Sequence, residues 1–143
     1  MQAIRGEGNQ AISHFQFRQF APFKQIHWSP ITMLEPSLET MDKIARLKEI
    51  LALDAKNSFA RYGIAMELAG RGETAAALEE FDTLLANDPE YTAGYFMAAQ
   101  TLAGAGRTQE AVERLKAGIG CAARNGNSHA LSEMQAMLGE LGG

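Results

Sequence analysis

A chain of 143 residues, 46% hydrophobic and 21% charged, has the size and balance of one soluble globular domain. Its net charge of −4 argues against a nucleic-acid partner, because neutralising phosphates takes a basic face. The single cysteine, Cys121, excludes an intrachain disulfide, and the expected compartment is the cytoplasm.

Residues 1–40 hold four of the seven Phe (Phe15, Phe17, Phe20 and Phe23), the only Trp (Trp28) and three of the four Pro. No helical or strand period is sustained there, and no apolar core of a secretion signal is present. The segment reads as a disordered tail, or as sequence upstream of the true start. Met33 and Met41 are both alternative starts, and Met41 opens the helical pattern directly. A third reading is an arm that folds its aromatic side chains into the chain's own groove.

From residue 41 the pattern is helical. Met41, Ile44, Leu47 and Leu51 fall at three- and four-residue steps, which lays an apolar stripe along one helix face. Shifted by 34 residues, Ile44, Leu47, Leu51 and Asp54 land on Leu78, Phe81, Leu85 and Asp88. At the next step Ala65, Leu68, Ala69, Gly70, Gly72, Thr74, Ala77 and Glu79 each recur 34 residues on. A fixed period of this kind marks an array of helical repeats.

These residues resemble the tetratricopeptide repeat family, in the manner of a short bacterial protein of that type. Ile64, Ala65 and Leu68 stand where the family places its large, small and large residues on the first helix of a repeat. Gly72 stands at the turn, and Ala77, Phe81, Leu84 and Pro89 follow on and after the second helix. Tyr95, Ala98, Ala99, Leu102, Gly106, Ala111, Leu115 and Gly118 supply the next copy. Arg61 departs from the usual aromatic, and Ala123 replaces the closing Pro. The resemblance covers about residues 41–141.

The expected fold is all-α. It is an antiparallel helix-pair solenoid of two full repeats flanked by half repeats, over residues 41–143. Six helices are expected, at 41–53, 58–69, 74–86, 92–103, 108–122 and from Asn127 or Ser128 onward. Ala65, Ala77, Ala99 and Ala111 are the points of close helix approach. The paired glycines 70 and 72, and 104 and 106, end one helix and turn the chain into the next. This accounts for residues 91–106, an uncharged run too short and too polar to span a membrane. The stretch "GAGRT" at 104–108 lacks the lysine and the preceding strand of a phosphate loop.

The resemblance implies that the first-helix faces line a concave ligand groove. Helical spacing puts Phe59, Tyr62, Met66, Phe96, Met97, Gln100 and His129 on that face. Lys, Arg and Asn, which clamp a peptide carboxylate in some family members, are absent from these positions. The groove is apolar, aromatic and Met-rich, which suits a protein or peptide partner with hydrophobic anchors. Tyr62 and Phe96 stand outside the small-residue helix contacts, so both are expected to be dispensable for folding. His14, His27, His129 and Cys121 show no metal spacing, and no nucleophile–base set can be assembled. The expected function is a non-catalytic protein-interaction adaptor without cofactor. The alternative is a self-associating scaffold, a homo-oligomer joined through its end helices or the groove face.

Overall fold

The computed structural model describes residues 38–143, so the readings made for residues 1–37 lie outside the described residues. Six helices follow one another: α1 Leu38–Leu53, α2 Ser58–Gly70, α3 Thr74–Asn87, α4 Thr92–Gly104, α5 Thr108–Asn125 and α6 Ser128–Glu140. No strand occurs among the described residues. Helix α1 begins three residues before the start expected from periodicity, and α5 runs on to Asn125 rather than ending at Ala122.

Local sequence explains most of the boundaries. Asn57 opens α2 by accepting a hydrogen bond from the Ala60 N–H at 2.9 Å. Asn127 does the same for α6, accepting from the Ala130 N–H at 3.1 Å. Each such bond satisfies a donor that a helix start leaves free. Thr74 and Thr108 are the first residues of α3 and α5, and their cap positions, Glu73 and Arg107, make no side-chain cap bond.

The turns that close α2 and α4 are built alike. Gly72 and Gly106 take φ of 78° and 77°, the left-handed region open to glycine. The Gly72 N–H donates to the Ala69 carbonyl and the Glu73 N–H to the Leu68 carbonyl, both at 3.0 Å. Gly106 and Arg107 repeat the pattern on Ala103 and Leu102 at 3.0 and 2.9 Å. Two orphan helix carbonyls are satisfied each time, and the chain reverses within three residues. After α6 the same pair of bonds recurs, from Gly142 to Gly139 and from Gly143 to Leu138.

The helices form two layers. Helices α2, α4 and α6 touch in one layer, and α1, α3 and α5 fill the other by packing on their chain neighbours. Small residues set the spacing: Ala60, Ala65, Ala77, Ala98, Ala99, Ala111 and Ala122 are all fully buried. Phe81, Leu84 and Leu115 fill the space between them, also fully buried. Gly118 of α5 lies where a Cβ would stand 2.6 Å from Tyr95 Cβ of α4 and 2.6 Å from Met134 Sδ of α6. No larger residue fits that crossing without moving a backbone. Ion pairs stitch neighbouring helices at the surface: Lys43 with Glu67, Arg61 with Glu80 at 2.7 Å, and Arg114 with Asp82 at 2.6 Å.

Candidate functional site

An open cavity of about 460 Å³ lies between the second halves of α2 and α4. Met66, Ala69 and Gly70 form its α2 wall. Met97, Gln100, Thr101 and Gly104 form the α4 wall, and Gly72 and Thr74 close one end. The walls stand together because α2 and α4 pack side by side across Ala65, Ala98, Met66 and Met97. No titratable side chain lines the cavity. Thr101 turns its hydroxyl back onto the Met97 carbonyl at 2.8 Å, which leaves its methyl group to the wall. The surface is therefore mainly apolar, with the Gln100 amide and the Thr74 hydroxyl as its side-chain hydrogen-bonding groups.

The residues expected on the groove face divide into three groups. Met66, Met97 and Gln100 meet at the cavity. Tyr62 and Phe96 are half-buried. The Tyr62 ring lies 6.4 Å from Phe81, edge to face, and 5.3 Å from Tyr91. Phe96 packs against the cluster of Ala99, Leu115, Ala122 and Met134. Tyr62 thus packs on the core and does not line the cavity, contrary to the expectation that it is dispensable for the fold. Its reach across α3 explains the difference, since spacing along α2 gives a direction and not a contact. Phe59 and His129 stand apart from the cavity in the first turns of their helices. Phe59 is 71% exposed, and the His129 ring extends into solvent with Nε2 3.5 Å from Glu133 on its own helix.

Burial pushes the Tyr62 phenol above its ordinary value. The Tyr91 phenol rises for the same reason, helped by Tyr62 and by the Asp88 carboxylate. Both rings are therefore neutral beside the groove at physiological pH.

Several wall residues escaped the sequence pattern. Gly70 and Gly104 read as turn glycines, yet only Gly72 and Gly106 take positive φ there. The first pair lies within the helices, as part of the cavity wall. The available signal was their recurrence at an identical repeat position. Thr74 recurs as Thr108, which marked a helix start and not a wall, and Thr101 carried no signal of its own.

Cys121 is fully buried and also hydrogen-bonded. Its Sγ lies 3.2 Å from the Thr92 hydroxyl, and Asn125 Nδ2 donates to it at 3.5 Å. Asn125 donates as well to the Glu90 carbonyl at 3.1 Å. This cluster ties the extended end of α5 to the start of α4, away from the cavity. Among the described residues no group of three His, Cys, Asp or Glu side chains could hold a metal. No helix among them is long and apolar enough to cross a membrane.

No family model and no curated protein matches the chain. Solved structures do. A tetratricopeptide repeat domain protein from Salinibacter ruber is 28% identical, covers 62% of this chain and 89% of its own, and superposes with a TM-score of 0.58. The type III secretion translocator chaperone SycD of Yersinia enterocolitica is 18% identical, covers 72% of each chain and gives 0.66. PcrH, solved in complex with the chaperone binding region of PopD, is 15% identical, covers 94% of this chain and 91% of its own, and gives 0.67. At such identities the last two share the fold.

Proposed function

We propose, since this chain is a tetratricopeptide-repeat-like protein, that it is a non-catalytic interaction module holding a segment of a partner protein in the cavity between α2 and α4. The observation that carries this reading is the uncharged, Met-walled cavity on the layer of first helices. Two unbranched thioether side chains, Met66 and Met97, give a wall that adapts to an apolar anchor. Gln100 offers both a donor and an acceptor to a peptide backbone. Large apolar groups gathered on one exposed face of a soluble protein mark an interaction surface. A structural neighbour, PcrH, is solved with a segment of another protein, which makes the same mode reasonable for this fold.

The test is selection of a displayed library of random short peptides on the full-length chain, followed by titration of the enriched peptides. Met66→Glu and Met97→Glu place charge in the cavity and should each abolish binding while circular dichroism stays unchanged. Binding indifferent to both changes would put the site elsewhere.

One observation favours a second reading, the self-associating scaffold. Ile50 is 39% and Leu53 92% exposed on α1, the first of the described helices. Light scattering separates the two: a concentration-dependent mass lost in Leu53→Lys supports self-association, and a constant monomer mass removes it.

A further inference from the structure

Neither the backbone nor the packing of the fold requires glycine at positions 70 and 104. Each lies in the last turn of its helix. Neither takes a positive φ, so an ordinary residue fits the backbone at both. A Cβ at either position would meet nothing within 4 Å, so no neighbouring helix demands the small residue. This sets them apart from Gly118, which α4 and α6 crowd, and from Gly72 and Gly106, which the turns require. Glycine in a helix is less stable than alanine, because it has more backbone freedom to lose. Two such glycines at the same repeat position are two costs with no structural return. Gly139, in the last turn of α6, is equally uncrowded, and what sets Gly70 and Gly104 apart from it is the cavity. Both line it, on facing walls, and each missing Cβ leaves open space.

We infer that Gly70 and Gly104 are specificity-determining residues of the proposed groove, and that they admit a peptide segment bearing one bulky, uncharged apolar side chain of the Leu, Met or Phe class. This inference rests on the groove reading above. The side chain enters between Met66 and Met97, and the segment's own backbone lies against the bare helix backbone at Gly70 and Gly104. The occupant is uncharged because a charged group would find no counter-ion among the lining residues, and its desolvation would go uncompensated. The cavity, at about 460 Å³, falls within the range of about 300–1,000 Å³ typical of ligand pockets.

The consequence is an opposition that few sites show: filling the glycines strengthens the fold and weakens the binding. The double variant Gly70→Ala/Gly104→Ala should raise Tm by about 1–5 °C. The same variant should weaken an enriched display peptide roughly tenfold, by crowding a packed contact. Gly70→Leu should abolish binding with the helical signal unchanged. Peptide affinity held within about twofold in the double variant would overturn the inference, as would a fall in Tm, which would give the glycines a part in the fold. Enriched peptides that lack a bulky apolar residue would overturn the occupant class. The groove reading fails separately, when peptide binding ignores Met66→Glu and Met97→Glu.

Discussion

Tyr62 and Phe81 meet edge to face, with ring centroids 6.4 Å apart and planes at 63°, so α2 and α3 are joined by an aromatic contact. Phe81 is fully buried and Tyr62 half-exposed. Phe81→Ala is expected to cost about 3–5 kcal/mol, the range for emptying a buried aromatic site. Tyr62→Ala should cost less, about 1–3 kcal/mol, because part of the ring already faces water. Urea denaturation of both variants measures this. An unchanged midpoint for Phe81→Ala would refute its place at the centre of the repeat.

Gly118→Ala is expected to destabilise the protein. The added methyl group would stand 2.6 Å from Tyr95 Cβ, an atom fixed to its backbone. Helices α4 and α5 would have to separate, at about 1–3 kcal/mol for overpacking. The sign is opposite to that for Gly70→Ala, so thermal melts of the two variants side by side check both assignments.

Asn125→Ala should loosen the junction between α5 and α4. It removes the bonds to the Glu90 carbonyl and the Thr92 hydroxyl, at 3.1 and 3.2 Å. The expected cost is about 0.5–1.5 kcal/mol, since the group is exposed and water replaces part of the loss. Hydrogen exchange should quicken at residues 121–125 and remain unaltered in α2.

Stability should fall in alkali. The Tyr62 and Tyr91 phenols are raised above their ordinary value of 10.0, chiefly by burial. The unfolded chain therefore gives up these protons at lower pH than the folded one. Their contribution is intact below pH 10 and is lost as pH climbs through the higher folded values. Tyr62→Phe and Tyr91→Phe should flatten the decline in denaturation midpoint above that pH.

The helices were legible because eight residues recur 34 apart, and a repeated helix pair has few ways to bury a repeated stripe. The end of α5 is set by Gly126, which takes φ of 68°, a stop signal that apolar periodicity alone does not register. Asn125 beside it is held by the carbonyl of Glu90, a backbone atom with no side-chain signature. For the groove, spacing gives the face of a residue but not its height. His129 shares the face of Met97, yet it sits in the first turn of α6, while the cavity occupies the later turns of α2 and α4. Gly70 and Gly104 were visible as a recurrence, but a glycine required by a turn and one that keeps a space open look the same until φ and neighbours are known.

Each described helix touches only helices one or two places away in the chain. Such a molecule is close to one-dimensional, and its cooperativity passes from neighbour to neighbour instead of through a common centre. Among the described helices, unfolding should start at α1 and α6 and travel inward. Amides of α1 and α6, each with fewer neighbours, should exchange fastest, and those of α3 and α4 slowest. Because contacts among the described helices join near neighbours in the chain, little loop entropy is lost before they form, and refolding should be fast. A partner segment laid across α2 and α4 would bridge two successive repeats. It would therefore act as a splint, slowing the passage of unfolding along the stack as well as shifting its equilibrium.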